Sequence, residues 1–332
     1  MFSTQNPHLM SAIDAPDIPK DLDERAHRDA RHDRYFRRLL LFCAFLVLVS
    51  LMGAALSTLW GGREIFLKHG FSFLTSSEWN PVTDQYGALA PILGTLITSL
   101  IAIVLAVPLS FGIALFLTEI APSWLRRPIS SAIELLAAIP SIVYGMWGLF
   151  VFVPFMSRIE PVLSNTLGKI PLIGGFFQGP AIGLGTLTAG VVLSIMILPF
   201  IASVMREVFL TVPARLKESA YALGSTTWEV VWDIVLPYTR TAVIGGIFLG
   251  LGRALGETMA VTFVIGNAYM ITRSLFMPGS TIASSIANEF NEAVGLHKSA
   301  LIALGFLLFV VTFIVLLIAR LMLRQLAKRE GT

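Results

Sequence analysis

Long apolar stretches alternate with short charged ones along this chain. Residues 39–62, 85–118, 135–157, 170–205 and 299–319 contain no Asp, Glu, Lys or Arg, and 241–272 is interrupted only by Arg253 and Glu257. A helix needs about 20 apolar residues to cross the hydrocarbon of a bilayer, so each stretch holds one span. The pattern therefore predicts an all-α, polytopic membrane protein with six transmembrane helices. The second and fourth stretches exceed one span. Their surplus is expected to form partly buried turns leading into the helix, marked by Pro91, Gly94, Pro180 and Gly185. Pro108, Pro140 and Pro199 all fall within predicted spans, where neighbouring helices or water must satisfy the freed carbonyls. A short "GTL" recurs at 94–96 and 185–187, each time the same distance before Pro108 or Pro199. Similar kinks in two parallel helices would explain it, and so would coincidence.

The charges between the spans set a direction. With the N-terminus inside, 17 of the 24 Lys and Arg lie in residues 20–38, 126–127, 206–240 and 320–329; six lie in the external loops, and Arg253 is the remaining one. That bias predicts a multi-pass membrane protein with both termini in the cytoplasm. Trp60 and Trp124 stand near span ends, where amphipathic rings prefer to sit. Residues 1–35 form a polar cytoplasmic segment that carries no secretory signal, and 36–332 form the transmembrane domain. Within the polar segment, Asp21/Arg25, Glu24/Arg28 and Asp33/Arg37 have the acid-first i,i+4 order of a solvated helix leading into span one. Outside the membrane, residues 61–88 are too apolar for a solvated connector; they are expected to lie in the interface as an elbow or to cap the bundle.

Composition narrows the class. With 55% hydrophobic and 14% charged residues, the chain cannot be built around one soluble core. The single cysteine, Cys43, rules out an intramolecular disulfide. There is no H-E-x-x-H, no G-x-S-x-G, no His within a predicted span and no metal-ligand cluster, which argues against an intramembrane enzyme. The chain also lacks a G-x4-G-K-[ST] phosphate loop, so any ATP that drives it must be bound by another polypeptide.

Between the fourth and fifth spans lies "TVPARLKESAYALGSTTWEVVWDIVLPYTR", residues 211–240. Pro213 suits the first turn of a helix, Ala214–Leu223 are good helix formers, and Gly224 is placed for a left-handed cap. Thr226 and Glu229 then fit a capping box, and Leu236-Pro237 should end or bend the second helix at the membrane. A helix, a sharp turn and a second helix make a knob suited to a groove on another protein.

At these residues the chain resembles a known family. Glu218, Ala220, Gly224, Ile234, Leu236 and Pro237 match the E-A-A-x3-G-x9-I-x-L-P loop of ABC-transporter permeases, with Ser219 in place of the second Ala. "SSEWNP" at 76–81, "ILGTL" at 92–96, "AAIPSIVYG" at 137–145 and "GRALGETMAV" at 252–261 are similar to PstC-type permeases of phosphate ABC importers, and the likeness covers about residues 36–325. The resemblance implies a type I, MetI-like permease fold in which 211–240 is the cytoplasmic coupling loop. It also implies a homologous second permease, two ATP-binding subunits that carry ATP and Mg, and an external phosphate-binding protein. No cofactor is expected on this chain. Other oxyanions, sulfate or molybdate, are the alternative substrates, and a gradient-driven secondary transporter is the rival class.

Arg253 and Glu257 are the candidate substrate-path residues. Four apart on a continuous fifth helix, they would share a face near the midplane and pair. A lone Arg there costs on the order of 2.5–3.5 kcal/mol on insertion scales. The pair is either a structural lock or an anion site in which the guanidinium fork holds an oxyanion and Glu257 tempers its charge. Gly246/Gly250 and Gly252/Gly256 are small-xxx-small pairs that let another helix approach.

Overall fold

The computed structural model describes residues 20–171 and 173–329. The polar residues before Lys20 lie outside them, as do the side chains of the Asp21/Arg25 and Glu24/Arg28 pairs. Internal contacts divide the chain into two units, 1–57 and 58–332. In the described part of the first unit the only element is the helix α1, Lys20–Gly61, whose last turn continues into the second. The predicted solvated helix and the first span are thus one uninterrupted helix.

The second unit begins outside the spans with α2 (Arg63–His69), α3 (Ser72–Thr75) and a two-stranded hairpin, β1 (Trp79–Asn80) and β2 (Gln85–Tyr86). There follow α4 (Leu89–Leu115), which ends in a π-helical turn at Phe116–Ile120, then α5 (Ser123–Ala137), α6 (Ser141–Trp147), a second π turn at Gly148–Phe152, and α7 (Val153–Thr166). Next come α8 (Thr186–Leu210), α9 (Ala214–Ala222), α10 (Thr227–Val230), a third π turn at Val231–Val235, α11 (Leu236–Leu255), α12 (Met259–Thr262), α13 (Ile282–Glu289) and α14 (Gly295–Arg329). Among the described residues, six helical stretches are long and apolar enough to cross a membrane: Tyr35–Gly61, Leu89–Ile120, Ser141–Lys169, Thr186–Leu210, Thr227–Leu255 and Gly295–Arg324.

Several boundaries differ from the apolar windows, each for a local reason. Pro140 is not inside a span. It has an extended ψ of 137° and starts α6, because a proline ring disfavours helical geometry in the residue before it. The amphipathic α5 is therefore separate from the third span. The fourth span begins at Thr186, and residues 170–185 form the expected lead-in of short turns. Pro91 and Gly94, by contrast, are already inside α4. Pro237 does not end the loop's second helix; it occupies the first turn of α11, where its missing N–H costs nothing, so the helical path continues from Thr227 to Leu255.

α8 is the hub: 61% of its span window is buried, against at most 28% for any other span. It packs along α4, where a Cβ on Gly190 would sit 2.6 Å from Ile101 and Ser110 Oγ donates to Leu198 O at 2.9 Å, beside Pro199. α11 joins them through Gly246 and Gly250, whose Cβ positions would lie 2.9 Å from Val204 and 2.6 Å from Ile201. Gly252 meets Leu316 of α14 only at 3.7 Å and Gly256 meets only its own helix at Gly252 O, so the close approach is made at the first small-xxx-small pair. The two "GTL" sequences share a job: both seat the segment 275–282. Leu187 N donates to Leu275 O at 2.8 Å, Ile282 N donates to Thr95 Oγ1 at 3.0 Å, and Gly94 leaves room for Ser280 O.

The apolar loop of residues 61–88 caps one end of the bundle. Ile65, Phe73 and Tyr86 are buried with Ile282, Leu301 and Leu304.

Candidate functional site

The two motifs at 137–145 and 252–261 come together. Gly145 on α6 lies against α12, where a Cβ would fall 2.8 Å from Met259 O and 2.7 Å from the Phe263 ring. Only a glycine lets the two backbones approach so closely. Arg253 is in the last turn of α11 and exposed. One of its Nη atoms is 3.6 Å from Met196 Sδ, its guanidinium carbon is 5.5 Å from the Phe200 ring centroid, and its charge reaches Tyr144. An apolar hollow of about 260 Å³, lined by Ile139, Val143, Tyr144, Trp147 and Ile195, shares that tyrosine.

Glu257 does not pair with Arg253. α11 ends at Leu255, and the bonds Gly256 N to Gly252 O (3.4 Å) and Glu257 N to Ala254 O (3.3 Å) tighten its last turn. The chain then turns at Gly256, so the i,i+4 rule no longer applies. Glu257 Oε1 instead accepts from Ala260 N at 3.2 Å, in the first turn of α12. No carboxylate among the described residues pairs with Arg253. A sulfur and an aromatic face solvate the guanidinium softly but leave its charge uncompensated. The expected position near the midplane of a continuous helix is replaced by a helix end.

The loop 211–240 follows the helix–turn–helix design expected of it. Pro213 precedes α9, Gly224 has φ +92°, and Thr226 and Glu229 form both bonds of a capping box. Ala220 is buried with Phe209, Val212, Val230 and Val235, and Ile234 packs against the same cluster, which explains the small and apolar positions of the motif. Glu218 points outward and is exposed, as are Leu223 (89%) and Trp228 (69%). Leu236 and Pro237 lead the loop into α11.

Two features had no sequence signal. Lys217 Nζ on α9 lies 2.6 Å from Glu119 Oε1 at the end of the second span, and the Glu119 side chain is only 5% exposed. The partners are 98 residues apart, so no spacing reveals them. At the opposite end, Glu289 collects three partners. Trp79 Nε1 donates to its Oε2 at 2.8 Å, Tyr269 Oη donates to its Oε1 at 2.6 Å, and His297 Nε2 lies 2.8 Å from Oε2. Trp79 stacks on Tyr269 with centroids 4.8 Å apart. Burial, then the bond to Glu289, pushes the Tyr269 phenol above its ordinary value, so it remains a donor. Trp79 of the "SSEWNP" stretch thus belongs to a clasp at the end of the bundle away from the loop 211–240.

With that geometry established, comparison places the chain among known proteins. It is 63% identical over 318 residues to the phosphate transport system permease protein PstC of Xylella fastidiosa, covering 95% of this chain and 98% of the relative. Identity is 55% to the protein of the same name in Mesorhizobium japonicum (97% and 100% covered) and 37% to the probable one of Methanocaldococcus jannaschii (83% and 87%). Among solved structures, a bacterial ABC transporter that imports alginate matches with TM-score 0.56 and 19% identity over 91% of this chain and 99% of that one. The same kind of transporter in complex with its pentasaccharide-bound periplasmic protein matches with TM-score 0.60 at 19% identity, over 91% and 98%. These likenesses establish the ABC-importer permease fold. Residues 106–328 match the model of the binding-protein-dependent transport system inner membrane component. The chain, a multi-pass inner-membrane protein, therefore belongs to the binding-protein-dependent transport permease family.

Proposed function

We propose that this chain is the permease subunit of an ATP-driven importer of inorganic phosphate and forms the translocation path with a homologous partner permease. The observation that carries this reading is the uncompensated guanidinium of Arg253 beside the two packed motifs. A planar fork of donors suits a tetrahedral oxyanion, and a site without its own carboxylate keeps that charge available. Glu257, held at the start of α12, is the nearby acceptor for a proton that phosphate carries at neutral pH. Binding there must stay weak enough for release. The names of the relatives support phosphate over other oxyanions.

On this reading both termini and the loop 211–240 face the cytoplasm, in keeping with the Lys and Arg bias. Two ATPase subunits, which hold ATP and Mg, dock on the α9–α10 knob, and a phosphate-binding protein delivers substrate outside. Their movement switches the helices between two arrangements. A gradient-driven transporter would leave the exposed Leu223 and Trp228 without a purpose.

Uptake of radiolabelled phosphate by the assembled complex tests this. Arg253→Gln is expected to lower uptake at least tenfold while the ATPase subunits still co-purify. Sulfate and molybdate should compete poorly. Normal uptake by the variant removes Arg253 from the path, and complexes that fail to assemble make it a structural residue.

A further inference from the structure

A second cationic site lies apart from Arg253. α5, the π turn at Phe116–Ile120 and the last turns of α8 enclose a cavity of about 370 Å³ that opens at the protein surface. Its polar lining is Arg126, Arg127, Ser130, Ser131, Glu134 and Arg206, with Leu117 and Leu210 beside them. The convergence has a simple cause. Positions 127, 130, 131 and 134 recur at the i, i+3, i+4, i+7 interval of one helix face, and Arg206 reaches across from α8.

The donors are largely uncommitted. Arg126 gives Nε to Ala121 O at 2.7 Å, which steadies its guanidinium without neutralising it. Arg127, Ser130 and Ser131 make no side-chain hydrogen bond or ion pair with a described residue. Arg206 alone is occupied: it lies 3.1 Å from Glu134 Oε1 and 3.1 Å from Glu207 Oε1, yet those carboxylates are 61% and 67% exposed. Three guanidiniums against two exposed carboxylates leave the cavity positive, and an arriving anion can displace Glu134 into solvent.

We propose that this cavity is a binding site for a phosphate group. The guanidiniums of Arg126, Arg127 and Arg206 hold its oxygens, Ser130 and Ser131 add hydroxyl donors, and Glu134 competes for Arg206. The phosphate group belongs either to the headgroup of an anionic lipid or to free inorganic phosphate. The side of the membrane rests on the orientation proposed above, which puts the cavity at the cytoplasmic border. There it adjoins the coupling joint: Thr118, in its wall, precedes Glu119, which bridges Lys217 of α9. An occupant would brace the end of the second span where the coupling helix is anchored.

The test uses the purified full chain in nanodiscs and reads binding, not transport, so failure of the importer reading leaves its outcome intact. In one arm the discs contain phosphatidylcholine with or without phosphatidylglycerol, and native mass spectrometry counts retained phosphatidylglycerol. In the other, phosphatidylcholine discs are titrated with radiolabelled inorganic phosphate. Arg127→Gln should weaken binding about tenfold in whichever arm shows it. Glu134→Gln should strengthen it. Arg127 and Glu134 are both exposed, and matching elution and melting of the variants check that the fold survives. Loss in the lipid arm assigns a headgroup, and loss in the phosphate arm assigns free phosphate. Arg127→Gln binding that equals wild type in both arms, or a phosphate signal removed only by Arg253→Gln, overturns the site.

Discussion

The two ends of the bundle are finished differently. At one end Glu289 is ringed by Trp79, Tyr269 and His297, and the cap around it buries Ile65, Phe73 and Tyr86. At the other end Leu223 and Trp228 stand out from the α9–α10 knob, and an ion pair, Lys217 to Glu119, ties α9 to the span beside it. One end closes on itself, with three side chains drawn onto one carboxylate over a buried apolar cap, although Tyr86 Oη and His69 Nδ1 are left there without a hydrogen-bond partner among the described residues. The other leaves apolar surface uncovered, and is held by that ion pair and by Ala220, Val230 and Val235 packed with Phe209 and Val212. Contacts that are complete within a chain stabilise it, whereas contacts left open define where a partner belongs.

Breaking the clasp should have the largest effect on stability. Glu289→Ala strands three partners of a charged acceptor and is expected to cost about 3 kcal/mol, read as a lower melting temperature in detergent. A melt identical to wild type would dissolve the contrast between the two ends. Lys217→Met should cost about 2 kcal/mol, since it leaves Glu119 nearly buried without its cation. Its clearer mark is functional: ATP hydrolysis by the complex continues while phosphate uptake falls. Uptake that tracks hydrolysis would mean the pair is only structural.

Gly224→Val forces a β-branched residue to φ +92° and should cost about 1–2 kcal/mol locally. Because nothing crowds Gly224, the bundle should fold, but the ATPase subunits should be lost on purification. Retention of those subunits would move the docking surface elsewhere. Thr226→Ala removes the capping-box acceptor for Glu229 N and should have the smallest effect, about 1 kcal/mol, seen as faster amide exchange over α10.

Much of the architecture was legible in the chain. Span number follows from apolar length. The α9–α10 knob was readable because its signals are local: a proline before α9, Gly224 after it, and Thr226 three residues before Glu229. The small residues Gly246 and Gly250 announced a close helix, though not that it would be α8.

What the sequence determined by itself were the features set by neighbours a few positions apart: six spans, a capped helical knob, and the two charges of Arg253 and Glu257 in an apolar run. The tertiary structure decided who meets whom. Gly256 ends α11 and takes Glu257 to α12, so a spacing that promised an ion pair gives a lone guanidinium. Glu119 finds Lys217 across 98 residues, and Glu289 finds Trp79 across 210. Helical periodicity carries information over one or two turns, whereas such partners depend on how whole helices pack, which no local pattern records.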